Sequence, residues 1–143
     1  MTSRIQELLD IGFERVGVWL LQDDILSYSL EKYQSQNNAL YAFVVNDSIC
    51  YIGKTSKTIT QRMNGYKKPG LRQNTNIANN KNIRKSLQLG YYVGIFVLTP
   101  IEKCSYHGIP VNIAAGIEDT LIARFSPQWN QLGRMPNSEG EER

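Results

Sequence analysis

Two apolar runs, residues 40–45 (LYAFVV) and 49–53 (ICYIG), flank the polar triplet Asn46-Asp47-Ser48. Apolar runs around such turn-forming residues call for an antiparallel hairpin, and everything else in the chain must be arranged around it. The even positions Leu40, Ala42, Val44, Cys50 and Ile52 suit a core face. Tyr41 and Tyr51 then share the other face only if the connection holds an odd number of residues, because side chains alternate along a strand. A two-residue Asn-Asp turn would separate the two phenols. The expectation is therefore a three-residue connection, Asn46 to Ser48, with a bulge.

Around this hairpin the periodicity predicts a short helix over residues 4–11 and strands over 13–21 and 25–30, joined by a turn at Gln22-Asp23-Asp24. A polar break at 34–38 separates them from the hairpin. A helix starting near Ser56 or Thr58 carries Arg62, and a basic loop with Pro69-Gly70 leads to a second helix over 77–89, ended by Gly90. A third strand follows at 91–98, stopped by Pro100. After a loop containing His107, Gly108 and Pro110, Asn112 caps a helix over 113–125. The expected fold class is α+β, an α/β sandwich with a small three-stranded antiparallel sheet flanked by helices. Residues 1–38 are expected to form an appendage of helix and hairpin, 39–133 the main domain, and 134–143 a tail too polar to order itself.

With 143 residues, 41% of them hydrophobic, the chain suits one domain with a real core. No run approaches the roughly 18–20 apolar residues that span a bilayer, and the first residues lack a signal-peptide core, so a cytoplasmic protein without a membrane partner is expected. Cys50 and Cys104 have no CxxC spacing and no histidine at metal distance, and both are expected to be reduced, buried small hydrophobes. The net charge of +3 is small, but its distribution is uneven. Between Asp47 and Glu102 there is no carboxylate, whereas nine of the sixteen basic residues fall there: Lys54, Lys57, Arg62, Lys67, Lys68, Arg72, Lys81, Arg84 and Lys85. Such a field suits a polyanion. Interleaved Asn64, Tyr66, Asn74, Asn76, Asn79, Asn80 and Asn82 favour DNA, since amides reach both phosphates and adenine edges. A solvated basic helix surface is the competing reading.

Tyr51-Ile52-Gly53-Lys54 lies ten residues after Tyr41 and eight before Arg62. A phenol, an amine and a guanidinium gathered at a strand end suit a phosphate diester, whose hydrolysis needs an activated water, charge neutralisation and a metal. On the last helix, at 100° per residue, Ile113, Ala114, Ile117, Leu121, Ile122 and Phe125 form one face. Glu118 lies at the rim of that face and Asp119 points away, which makes Glu118 the candidate metal ligand. Each residue also has an ordinary use: tyrosines pack across hairpins, and lysines and glutamates coat surfaces.

Together these motifs resemble the GIY-YIG endonuclease superfamily over roughly residues 39–130. Ala39-Leu40-Tyr41 stands at the first motif, with Ala and Leu replacing its Gly and Ile, and Tyr51-Ile52-Gly53 is the second motif intact. Arg62 follows on the first helix, Glu118 with Leu121-Ile122 on the last, and Pro127, Trp129 and Asn130 at the end. The surroundings are similar to the branch of phage endonuclease II and short restriction enzymes.

The resemblance implies a DNA endonuclease in which Glu118 holds one Mg2+, replaceable by Mn2+, largely through water. Arg62 would neutralise the phosphate. Tyr41 would accept the proton of the attacking water with help from Lys54, and Tyr51 would position that water. Tyr66, where some relatives carry a histidine four residues after the arginine, would contact the scissile phosphate or support Tyr51. Asn130 would orient Glu118 or the DNA backbone, and Trp129 would pack the chain end. DNA contacts are expected from Lys57, Tyr66, Lys67, Lys68, Arg72, Lys81, Arg84 and Lys85. One active site cuts one strand, so cutting double-stranded DNA implies a homo-oligomer, dimer or tetramer. The alternatives are a repair or recombination nuclease for branched or damaged DNA, and a catalytically silent DNA-binding domain.

Overall fold

The computed structural model describes residues 3–99 and 103–132, so the polar tail at 134–143 and Pro100 lie outside the described residues. The chain runs α1 (Arg4–Ile11), β1 (Glu14–Gln22), β2 (Ile25–Leu30), β3 (Ala39–Val45), β4 (Ser48–Thr55), α2 (Ile59–Lys67), α3 (Asn74–Gln88), β5 (Val93–Leu98), β6 (Cys104–Tyr106), β7 (Ile109–Val111), α4 (Ile113–Phe125) and α5 (Gln128–Leu132). The helix starts follow their caps. Ser3 accepts from Gln6 N, Thr58 and Gln61 form a reciprocal capping box, and Asn112 accepts from Ala115 N.

The main sheet has five antiparallel strands in the order β2-β1-β5-β3-β4, not the expected three. The N-terminal hairpin is part of that sheet: β1 pairs with β5, Glu14 opposite Val97 and Val18 opposite Gly94. Strand β5 has two edges to satisfy, β3 covers one and β1 the other, and local periodicity says nothing about that long-range partner. The β1–β2 turn is Asp23-Asp24, both at positive φ (52° and 61°), the conformation that matches the twist of a hairpin.

The central hairpin reaches the expected outcome by a different route. Val45 pairs with Ser48 and Val44 with Ile49, so the connection is the two-residue turn Asn46-Asp47. The register then slips: Phe43 faces Tyr51, and Cys50 is the extra, unpaired residue. That bulge restores the parity the turn removes, and Tyr41 and Tyr51 share a face. Cys50 accordingly belongs with the tyrosines and not with Ile52. Asn46, at φ 52°, ties the turn to the start of β5, donating its N–H to Tyr92 O (2.8 Å) and accepting from Tyr92 N at 3.0 Å through its side chain.

All of β3 is buried, because both faces of the sheet are covered. Leu40, Ala42, Val44 and Ile52 pack with Leu8, Phe13, Leu121, Ile122 and Phe125 from the side of α1 and α4. Tyr41, Phe43 and Tyr51 pack with Ile59, Met63, Tyr66 and Ile83 from α2 and α3. Trp19 of β1 is fully buried there, edge-on to Tyr28 at 5.3 Å and to Phe43 at 5.9 Å. Aromatic pairs of this kind contribute about 0.5–1.5 kcal/mol each beyond their burial. The N-terminal hairpin thus shares the core beneath the tyrosines.

Residues 104–111, expected as a loop, form the small hairpin β6–β7 about a His107-Gly108 turn with φ 50° and 80°. Cys104 is exposed in it, correcting the expectation of a buried thiol, whereas Cys50 is buried. No helix among the described residues is long and apolar enough to cross a membrane.

Candidate active site

The strand-borne phenols meet α2 at Arg62. Tyr41 on β3 and Tyr66 on α2 bring their hydroxyls to 2.5 Å. Arg62, one helical turn before Tyr66, donates through Nε to Tyr41 Oη (3.0 Å) and through Nη2 to Tyr66 Oη (2.7 Å), with its guanidinium 4.2 Å from the Tyr66 ring centre. The stripe Ile59, Met63 and Tyr66 buries one face of α2 and leaves Arg62 half-buried beside it. Two glycines make the room. A Cβ on Gly53 would stand 2.6 Å from Tyr41 Oη and 2.9 Å from Tyr51 Cε2, and one on Gly65 would stand 3.4 Å from Arg62 Nη1.

Burial raises the pKa of Tyr41, and the Arg62 charge beside it offsets this only in part. Tyr66 is pushed well up by burial and then by Tyr41 and Tyr51, and Tyr51 by burial and Tyr41. All three are neutral phenols at neutral pH. Burial works against the Arg62 charge, but the phenol oxygens of Tyr41 and Tyr66 accept hydrogen bonds from it, and the guanidinium stays protonated. The Tyr51 hydroxyl is buried without a hydrogen bond of normal geometry, although Tyr66 is near enough to favour its ionised form slightly.

Glu118 of α4 is 2% exposed, at the rim where helical periodicity places it, and Asp119 is exposed. Its charge opposes ionisation of both Tyr41 and Tyr51, which locates the carboxylate at the same centre. Among the described residues no group of three or more His, Cys, Asp or Glu could cage a metal. A single carboxylate suits Mg2+, which keeps most of its waters and shares the rest of its shell with substrate phosphate.

Several expected positions differ. Lys54 pairs across the hairpin with Leu40, so it emerges on the α1 and α4 face, opposite the tyrosines. The cation beside Tyr41 is Arg62. Tyr66, expected to contact DNA or to support Tyr51, is fully buried within the centre. Asn130 is buried with its amide committed to the outer edge of β4: Ile52 N donates to its Oδ1 and its Nδ2 donates to Ile52 O, both at 2.8 Å. Trp129 is buried as expected. Lys57, Lys68, Arg72, Lys81 and Lys85 are exposed, Lys67 is half-buried, and Arg84 donates to Asp24 O at 2.7 Å, tying α3 to the β1–β2 turn.

Two residues without any local sequence signal brace α2. Asn80 of α3 donates to the Tyr66 and Lys67 carbonyls (2.8 and 3.3 Å) at the helix end. Tyr28 of β2 donates to Asn64 Oδ1 at 2.7 Å and lies 3.3 Å from Thr60 O.

No family model matches the chain, and no curated protein matches it. Among the solved structures that resemble it are two endonucleases. A mutant of bacteriophage T4 EndoII superposes with a TM-score of 0.70 at 21% identity, over 90% of this chain and 99% of that one. The restriction endonuclease HPY188I in complex with product DNA superposes with a TM-score of 0.53 at 16% identity, over 99% of this chain and 87% of that one. At these identities the likeness establishes the fold alone.

Proposed function

We propose that the chain is a divalent-metal-dependent endonuclease that hydrolyses phosphodiester bonds in double-stranded DNA, of the restriction or phage DNA-degrading type. The observation that carries this reading is the guanidinium of Arg62, held in place by Tyr41 and Tyr66, with the charge of the buried Glu118 acting on Tyr41 and Tyr51. Similarity of fold to two endonucleases, one of them in complex with product DNA, supports it.

Arg62 carries five N–H groups. Two are directed at the phenols, and the remainder would take the non-bridging oxygens of a phosphate. Because Tyr41 and Tyr66 are fully buried, their first effect on substrate is to fix the direction of that donor fork. Glu118 would hold the metal, Mg2+ or Mn2+, which when bound supplies Lewis-acid stabilisation of the charge developing on the phosphate. Tyr41, protonated at neutral pH, orients by hydrogen bonding and is not a resting base. Within the Tyr41–Tyr66 pair one hydroxyl donates and the other accepts. After Arg62 has taken a lone pair on each, the pair keeps one lone pair and one O–H for further partners, and rotation of the two hydroxyls exchanges them. The exposed Lys57, Lys68, Arg72, Lys81 and Lys85 supply backbone contacts to DNA. Each chain carries one such centre, so a double-strand break calls for two copies or two binding events.

Incubation of supercoiled plasmid and long linear DNA with Mg2+, comparing wild type with Glu118→Ala, tests the reading. Wild type should cut while Glu118→Ala binds and leaves the DNA intact. Binding by wild type without cleavage in either Mg2+ or Mn2+ would instead establish the silent binding module.

A further inference from the structure

Leu71 is 97% exposed, the largest value among the exposed large hydrophobic residues described, with Tyr106 next at 69%. It lies in the connection between α2 and α3, in the sequence Lys67-Lys68-Pro69-Gly70-Leu71-Arg72, so cations flank it on both sides. A lone exposed leucine is ordinary on a protein surface. This one differs in how it is held. Gln73 N donates to Gly70 O (3.2 Å), closing a turn with Leu71 and Arg72 at its corners, and Gly70 N donates back to Gln73 Oε1 at 2.9 Å. The same Oε1 accepts from Nδ2 of Asn76, which is 3% exposed. A β-turn is thereby pinned from both ends and anchored to a buried amide, and its corner is an apolar side chain with nothing folded over it.

We infer that Leu71 is a wedge that enters between base pairs of bound DNA and unstacks one step close to the scissile phosphate. The inference rests on the reading of the protein as a DNA endonuclease. Apolar wedges inserted from a cationic frame are one way proteins kink a duplex, with the unstacking offset by the additional backbone contacts that the bent DNA makes. Here Lys67, Lys68 and Arg72 are the frame, and the absence of carboxylates between Asp47 and Glu102 keeps repulsion away from it. A pinned turn presents the side chain without an ordering penalty on binding. Reach sets where it acts. From Arg62 to Lys67 the chain is helical at about 1.5 Å per residue, and the four residues to Leu71 span at most roughly 14 Å. Leu71 therefore lies within about 21 Å of Arg62, or about six base-pair steps of the cut.

Duplexes carrying 2-aminopurine at successive steps on either side of the cleavage position test the inference, with wild type and Leu71→Ala bound in Ca2+ to hold off cleavage. Wild type should raise the fluorescence at one step within about six base pairs, and Leu71→Ala should not. Cleavage of intact duplex by Leu71→Ala should fall about tenfold and recover to near the wild-type rate when that step carries an abasic site, where stacking is already lost. A side chain this exposed contributes nothing to folding, so the variant remains a folded protein. Wild type that binds and cuts with no unstacked step, or with unstacking unchanged in Leu71→Ala, overturns the wedge and leaves the nuclease intact. Wild type that neither binds nor cuts DNA overturns both.

Discussion

Tyr41 and Tyr66, 25 residues apart in sequence, share a hydroxyl contact of 2.5 Å, and Arg62 donates to both oxygens. The phenols and the guanidinium form one unit, and the planar donor fork of an arginine is what lets a single side chain serve two phenols and a phosphate together. Arg62→Lys keeps the charge and loses the fork. It should lower kcat by about 10^2-fold or more, nearly as far as Arg62→Ala, in single-turnover cleavage assays. Recovery of most of the rate in Arg62→Lys would mean that charge alone matters.

The buried phenols define the response to alkali. The pKa values of Tyr41, Tyr51 and Tyr66 are all raised, so above about pH 10 the unfolded chain loses tyrosine protons that the native state retains. The native state then binds more protons, and stability falls as pH rises through that range, by about 1.4 kcal/mol per pH unit for each tyrosine. Below about pH 9 no such loss occurs. Denaturant unfolding between pH 8 and 11 should show this decline, and Tyr41→Phe should make it shallower. Cleavage should also lack a limb that rises with slope one towards pH 10, since the working phenol is neutral. Such a limb would restore Tyr41 as the base.

Glu118 is buried beside the phenols, and its amide isostere fits the same space without the charge. Glu118→Gln should bind DNA and keep its thermal stability while losing at least about 10^2-fold in cleavage. Chelation with EDTA should stop the wild type, and added Mg2+ or Mn2+ should restore it. Cleavage that persists in EDTA would remove the metal from the account.

Gly53 has no space for a side chain, since an added Cβ would meet Tyr41 Oη at 2.6 Å and Tyr41 Cζ at 2.7 Å. Gly53→Ala should destabilise the fold by about 1–3 kcal/mol and displace Tyr41 from Arg62. Cleavage should then drop under conditions where circular dichroism still reports a folded protein. An unchanged rate would show that the contact between Tyr41 and Arg62 is dispensable.

Asn130 holds both backbone groups of Ile52. Asn130→Ala loses the pair of bonds and leaves buried groups unsatisfied, at a cost of about 2–4 kcal/mol read from the denaturation midpoint. Raising the Mg2+ concentration should not compensate, because the loss is in the fold and not in the metal site.

Much of this was legible in the residues. Apolar periodicity placed α1, and the Asn112 cap with the apolar face behind it placed α4, at their observed bounds. The need for Tyr41 and Tyr51 to share a face was correct, although a bulge at Cys50 and not an odd turn achieves it. Two of the misplacements had a signal in hand. Lys54 alternates with Ile52, which by parity sets it opposite the tyrosines, and Ile59, Met63 and Tyr66 recur at helical spacing, which buries Tyr66. The pairing of β1 with β5 and the bracing of α2 by Asn80 and Tyr28 had none, because contacts between residues so far apart leave no local period.

Asn130 also decides how copies of the chain can meet. An open sheet edge invites another strand to add to it, and β4 is the outermost strand on the side of the tyrosines. With the Ile52 peptide groups already taken by a side chain of the same molecule, the middle of that edge is closed to intermolecular strand addition. A second copy cannot extend the sheet there and must approach that edge by side-chain contact.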